Sequence, residues 1–295
     1  MAEIIITGAS GFLGSHLMRL AAQQGRDVLG LVFRHHAPLP GRYERIDLTD
    51  SDAVRALVQK ESPRAIIHTA AITSPDACEA DREGAEALNV TATGLLAMVA
   101  FMNDAHLTFI STDLVFDGEH GMYTEMEPPN PVNHYGLTKA QAEHFVRAAS
   151  PDFAIVRPSF LYGLPMAEHH QSFSQQLLVQ LRQGQSVKVF HDQYRSPIPA
   201  AALADAVLEL SDLRLGGIWH IAGPDRVSRA DFARALASAA HLDTALLEEI
   251  SMDDIALPAA RPRDVSLNTQ KARHRLQSAL PSLTDGFHFL YGKGG

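Results

Sequence analysis

The tightest constraint in this chain is a glycine-spaced turn at residues 7–14, TGASGFLG, directly behind the apolar run Ile4, Ile5 and Ile6. The apolar run reads as a buried strand and the amphipathic stretch 13–24 as a helix, so the turn joins a strand to a helix. In that setting Gly8 serves the tight turn, Gly11 lets a ligand approach the main chain, and Gly14 allows close packing of helix on strand. The helix then aims its unpaired N–H groups and positive end at the turn, which suits a phosphate. Three glycines alone are a weak signal, because they also serve ordinary turns. The strand before and the helix after make this a dinucleotide-binding loop, with Ser10, Phe12 and Leu13 part of it. Ser10 is read as a phosphate contact and not as a nucleophile, since no Gly-x-Ser-x-Gly elbow surrounds it.

Apolar runs and amphipathic stretches keep alternating for roughly the first 160 residues. Strands are expected over 3–7, 27–33, 65–68, 107–111 and 154–157, and helices over 13–24, 51–61, 82–103 and 135–149. This order builds an α/β fold of Rossmann type, a doubly wound parallel sheet with helices on both faces. After Pro158 the rhythm loosens. Helices over 172–183, 201–210 and 228–240 and strands over 187–190 and 217–221 describe a smaller, mixed α/β C-terminal substrate lobe. Ser228 is expected to cap the last of these helices, with Asp231 at capping-box spacing. Residues 1–158 with part of 190–222 are assigned to the dinucleotide domain, and 159–189 with 223–295 to the substrate lobe.

Cofactor choice is made at the end of the second strand, about 20 residues past the last glycine. That stretch reads Leu31, Val32, Phe33, Arg34, His35, His36. No carboxylate waits there for a ribose 2′-hydroxyl, whereas Arg34 offers a bidentate partner to a 2′-phosphate. NADP(H) is therefore expected over NAD(H). Asp47 and Leu48, after the next turn, are candidates for touching the adenine.

Tyr135 and Lys139 stand four residues apart at the start of a helix, which puts phenol and ammonium on one face. A free tyrosine titrates at about 10. A fixed cation beside it is expected to lower that value and fit the phenol for proton delivery to a carbonyl oxygen. Thr112, at the end of a strand between Ser111 and Asp113, supplies a hydroxyl to hold that oxygen. Tyr-x-x-x-Lys is common on helices; behind a glycine loop and a strand-terminal Ser-Thr it becomes specific.

Composition mainly excludes. With 25 basic and 34 acidic residues the net charge is −9, which disfavours nucleic acid and anionic membranes. Cys78 is the single cysteine, which leaves no internal disulfide, fits a reducing compartment, and reads as a packed thiol. The first residues lack a signal peptide's basic flank and long apolar core, and no run approaches the ~18 uninterrupted apolar residues of a membrane span. A cytoplasmic location is expected. The 15 histidines, including the pairs His35, His36 and His169, His170, show neither helical ligand spacing nor a partnering acid or cysteine cluster, so no metal is expected.

The motifs at 7–14, 111–118 (STDLVFDG), 130–139 (NPVNHYGLTK), 191–197 (HDQYRSP) and 261–268 (RPRDVSLN) carry a resemblance over nearly the whole chain, from Thr7 to about Lys271. The chain resembles the extended short-chain dehydrogenase/reductase superfamily and, within it, the dTDP-4-dehydrorhamnose reductase family. The resemblance implies NADPH-dependent reduction of a keto group on a nucleotide-sugar, and a dimer. By position, Thr112 would orient the substrate oxygen, Tyr135 would be the acid, and Lys139 would hold the nicotinamide ribose and tune Tyr135. Ala70, Ala71 and Asn89 would line the cofactor groove, and Arg157 to Phe160 would pass close to the nicotinamide. Asp113, the Asp192–Gln193 turn, Arg195 and Arg261 would face the nucleotide-sugar, with Arg261 a natural pyrophosphate partner.

Two positions depart from the family, which typically has tryptophan at Phe160 and a small residue at Arg195. Both lie on the sugar side and bear on which sugar is taken, not on the chemistry. Residues 284–295 contain no glutamate, so the magnesium site that some members form between subunits is not expected. The chain is also similar to the non-catalytic, NADP-binding regulatory β subunit of methionine adenosyltransferase, which keeps a regulatory role open. A nucleotide-sugar epimerase or dehydratase is the other alternative.

Overall fold

Seven parallel strands form the sheet behind the glycine turn: β1 (Ile4–Thr7), β2 (Val28–Val32), β3 (Arg42–Arg45), β4 (Ala65–His68), β5 (His106–Ile110), β6 (Ala154–Pro158) and β7 (Gly217–Ile221). Their order across the sheet is β7-β6-β5-β4-β1-β2-β3. The computed structural model describes residues 1–34, 40–164 and 172–291; both histidine pairs named above lie outside these. The chain starts in the middle at β1, runs to one edge, then returns through β4 to the other. The reversal between β1 and β4 opens a crevice at the carboxyl ends of the strands.

Among the described residues, eight helices of at least nine residues accompany the sheet: α1 (Phe12–Gln23), α2 (Ser51–Glu61), α3 (Thr93–Met102), α4 (His134–Ala149), α5 (Phe173–Arg182), α6 (Ala200–Asp212), α7 (Arg229–Ala239) and α8 (Leu283–Tyr291). Leu13, Leu17 and Met18 of α1 and Leu203 and Val207 of α6 cover one face. Val54 and Leu57 of α2, Leu96 and Val99 of α3 and Ala142 and Val146 of α4 cover the other. β1, β4, β5 and β6 are buried at every residue, as strands covered on both faces must be, which is why they read as mainly apolar runs. This is the doubly wound Rossmann-type sheet expected from the order of elements. β3 escaped that reading because its sequence, RYER, has exposed ends and no apolar run; pairing with β2 alone defines it.

The helix expected over 82–103 is present as Arg82–Met102, but its middle turn is widened. A short helix, Arg82–Glu86, passes into a π-helical segment, Ala87–Ala92, before α3 begins. The Asn89 amide explains the widened turn's position: it accepts from Ile72 N at 2.9 Å and donates to Ile72 O at 3.0 Å, tying the helix to the chain beyond β4. By length and composition Arg82–Met102 could cross a membrane, but Leu96, Ala97 and Ala100 are packed in the sheet's core.

Beyond β6, a third apolar cluster joins α5, α7 and α8 around Tyr162, Phe232 and Phe287. Ser228 caps α7 by accepting from Asp231 N at 2.9 Å. Its hydroxyl donates to Asp231 Oδ2 at 2.7 Å, so the aspartate takes the cap's own proton where a glutamate would reach the cap's backbone. α8 was not legible in the sequence; burial of Leu283 and Phe287 against this cluster holds it.

Candidate active site

Between the carboxyl ends of the strands and the α5–α7 side lies a cleft of about 970 Å³. The glycine turn forms one wall. Gly8 takes a left-handed φ of +64°, and Gly11 N donates to Gly8 O at 2.8 Å. Gly11 is the N-cap of α1 and brings no side-chain cap, so the first amides of the helix are left to a ligand. Ser10, Phe12, Leu13, Ala70 and Ala71 line the same wall, and Ala70 N is held by Thr7 Oγ1 at 3.2 Å. At its outer end lie Arg34, exposed, with Asp47 and Leu48. Asp47 is kept below the usual carboxylate range by hydrogen bonds from Thr49, aided by the charge of Arg34.

At the centre of the cleft, Ser111 and Thr112 directly follow β5, and the backbone of Thr112 is extended. Its hydroxyl caps the short turn Asp113–Val115, accepting from Leu114 N at 3.2 Å. A Cβ on Gly136 would stand 2.1 Å from Leu114 O, so only glycine lets the start of α4 press against that turn. This contact brings Tyr135 beside Thr112. Asn133 caps α4 through Gly136 N at 2.9 Å. Tyr135 packs with Cys78, Ala85, Ile72 and Leu114, and its phenol opens to the cleft.

The electrostatics differ from the sequence expectation. Burial pushes the Tyr135 phenol up, against the pull of a hydrogen bond with Thr112 and with the charge of Asp113 adding to the rise. The expected lowering by Lys139 does not appear: burial is the largest cause of the shift, and the downward pull on the phenol comes from Thr112. The phenol thus stays protonated at neutral pH, as a proton donor requires. Lys139 is buried, with its ammonium 4.1 Å from the centre of the Phe109 ring, and desolvation brings it down to about 7 despite the opposing charge of Glu143. His68, its ring stacked on that of Phe109, bridges Thr7 and Thr93 at 2.7 and 2.9 Å; burial, aided by the charge of Lys139, holds it neutral, its pKa down to about 3.

The far half of the cleft carries arginines. Asp113, buried and raised in pKa mainly by desolvation, accepts from Ser159 Oγ at 2.7 Å and faces Arg195 Nε at 3.8 Å. Arg195 also donates to Tyr194 O at 2.7 Å. Arg261 pairs with Asp76 at 2.9 Å. Arg229, first residue of α7, is the residue sequence reading missed. Its guanidinium lies between Phe160 and Phe173, 4.0 and 3.9 Å from the ring centres. Desolvation and the neighbouring Arg195 bring it down to about 9. No spacing rule marks an arginine just inside a capped helix as a cleft residue.

Most of the expected site residues thus converge: Gly8, Gly11, Gly14, Arg34, Asp47, Leu48, Thr112, Asp113, Tyr135, Phe160, Gln193, Arg195 and Arg261 all line the cleft. Four do not. Asn89 is fully buried as the clamp on Ile72, and Lys139 lies behind the wall. Asp192 is taken up by Ser251, Met252 N and Arg263. Arg157 points away from the cleft into a buried pair with Glu143. His134 faces neither cleft nor solvent: it is buried against residues 79–86, within 3.4 Å of Arg82 O. Cys78 is a packed thiol, its Sγ 3.4 Å from Ile72 O. Phe109 and Phe116 are core residues, each also carrying a cation on its ring face.

A glycine turn on a doubly wound sheet, a Thr–Tyr–Lys set at its centre and an arginine-lined second half define an extended short-chain dehydrogenase/reductase scaffold. The chain belongs to the family of the RmlD substrate binding domain, whose model matches residues 1–289. It is similar to the probable low-salt glycan biosynthesis reductase Agl14 of Haloferax volcanii, 36% identical over 284 residues, covering 95% of this chain and 94% of that protein. It is 32% identical to methionine adenosyltransferase 2 subunit beta of Rattus norvegicus, over 91% of this chain and 81% of that protein. Among solved structures, a dTDP-4-dehydrorhamnose reductase from Bacillus anthracis in complex with NADP superposes with a TM-score of 0.88 at 28% identity, over the full length of both chains.

Proposed function

We propose that this protein is an NADPH-dependent oxidoreductase that reduces a keto group on a nucleotide-activated deoxysugar. The observation that carries the reading is the meeting of Thr112 and Tyr135, with Lys139 behind them, midway between an anion-ready glycine turn and an arginine-lined pocket. The uncapped amides of α1 fit a pyrophosphate and the exposed Arg34 fits a 2′-phosphate. NADPH, when bound, supplies the hydride. Thr112 holds the carbonyl oxygen of the substrate, and Tyr135 passes its phenolic proton to that oxygen as negative charge develops. The Lys139 ammonium stabilises the phenolate left behind. Arg195, Arg229 and Arg261 receive the diphosphate and orient the sugar, with Phe160 and Phe173 holding the Arg229 guanidinium in place.

Arg34→Ala is expected to weaken NADPH binding about 10- to 100-fold, as loss of a charge-assisted contact does, and to leave NADH binding nearly unchanged. Fluorescence titration with both cofactors measures it; equal loss for the two refutes a 2′-phosphate role. Arg229→Met keeps the stem between the rings and removes the charge. It is expected to raise KM for the sugar nucleotide about tenfold or more with NADPH binding unaltered. An unchanged KM places the anion elsewhere.

The test of the reading is NADPH oxidation with a panel of dTDP- and UDP-4-keto-6-deoxy sugars. Turnover on any of them supports it. Tight NADPH binding without turnover favours the second reading, a regulatory NADP-binding subunit, which the likeness to methionine adenosyltransferase 2 subunit beta supports.

A further inference from the structure

Glu143 lies on α4 one turn beyond Lys139 and, like it, is buried. Three donors converge on its carboxylate: Ser111 Oγ at 2.5 Å, Arg157 Nε at 2.9 Å and Arg157 Nη2 at 2.6 Å. Ser111 immediately precedes Thr112. Arg157 stands two residues before Ser159, whose hydroxyl holds Asp113 and is itself held by Ser196 N at 3.0 Å. One carboxylate therefore ties the helix that bears Tyr135 and Lys139 to the ends of β5 and β6. Arg157 is braced in turn, 5.0 Å from the Phe116 ring centre and 3.5 Å from His220 Nε2.

The surroundings of Lys139 make the same carboxylate matter electrostatically. Among the described residues no carboxylate comes within ion-pair distance of its ammonium, which rests on the Phe109 ring. The groups around it are neutral His68 on β4, the Cys78 thiol on the short helix Pro75–Ala80, and Tyr135 and Glu143 on its own helix, with Arg157 on β6 beyond Glu143. Glu143 is the largest source of favourable charge acting on Lys139, and its carboxylate is fixed in place by the pairing with Arg157.

We propose that Glu143 is a positioning residue for the reduction: it locks α4 against the ends of β5 and β6, and it holds the charge on Lys139. The inference rests on the assignment of Thr112, Tyr135 and Lys139 as the catalytic set. Reduction then needs Lys139 protonated, so the rate falls as pH rises past the value at which its proton leaves. Without Glu143 the ammonium is less favoured, and that fall moves to lower pH.

The test compares kcat, KM and their pH profiles for full-length Glu143→Gln, Glu143→Asp, Arg157→Met and the double variant Glu143→Gln/Arg157→Met, with Tyr135→Phe and Lys139→Met alongside. Thermal melts report folding for each. Glu143→Gln is expected to lower kcat about 10- to 100-fold with KM for NADPH within about threefold, and to shift the falling limb down by about one pH unit. Glu143→Asp restores the limb. Glu143→Gln leaves Arg157 buried without its counter-charge, and the double variant removes that burden and regains stability. The double variant is expected to keep the shifted limb. Wild-type kcat and limb in Glu143→Gln, or in the double variant, overturn the inference and leave Glu143 as a partner for Arg157 only. Retained turnover in Tyr135→Phe and Lys139→Met overturns the catalytic assignment itself, which separates the two failures.

Discussion

Tyr135→Phe is expected to cut turnover by roughly 10²- to 10⁴-fold while NADPH binding stays within about threefold. The ring sits against Cys78, Ala85, Ile72 and Leu114, an apolar pocket that a phenylalanine fills equally well, so the protein folds and only the proton is lost. Because burial holds the phenol protonated at neutral pH, the hydroxyl is there to be a donor. Steady-state kcat beside a cofactor titration checks it. A variant within tenfold of wild type removes Tyr135 as the acid and moves the proton source to Thr112 or water.

Gly14→Val is the second large effect. A Cβ at this position would lie 2.2 Å from Gly8 O and 2.9 Å from Ala9 Cα, closer than atoms approach in folded chains. Helix α1 then has to withdraw from the glycine turn, and the amides at its start no longer face the place where a pyrophosphate lies. NADPH affinity is expected to fall by at least about 100-fold, and overpacking of about 1–3 kcal/mol to lower Tm by several degrees. Titration and a thermal melt read the two separately. Wild-type affinity would show that the turn's shape is not what the cofactor reads.

Much of the fold was legible because it is built on local period. β1, β4, β5 and β6 appear as apolar runs bounded by turns, and α2 begins and ends where the sequence marks it, Ser51–Glu61 behind the cap of Asp50. The elements that escaped have no such signature. β3 is an edge strand defined by its neighbour, and the π-helical segment at Ala87–Ala92 exists because Asn89 reaches across to Ile72. In the site, the glycine turn, Thr112 and Tyr135 carried their own spacing. Arg229 and Glu143 did not: the first acts through two aromatic rings drawn from β6's end and α5, the second through Ser111 and Arg157, distant in sequence.

By itself, then, the order of residues determined the doubly wound sheet, the loop that faces a phosphate, and the residue types of a Thr–Tyr–Lys set, since each depends on periodicity or spacing within about twenty residues. Tertiary structure alone decided which side chains share the cleft, and it decided their protonation. Lys139 comes down to about 7, and Tyr135 rises instead of falling. Burial is a property of the packed whole, and desolvation is the largest cause of both shifts, which a spacing of four residues does not reveal.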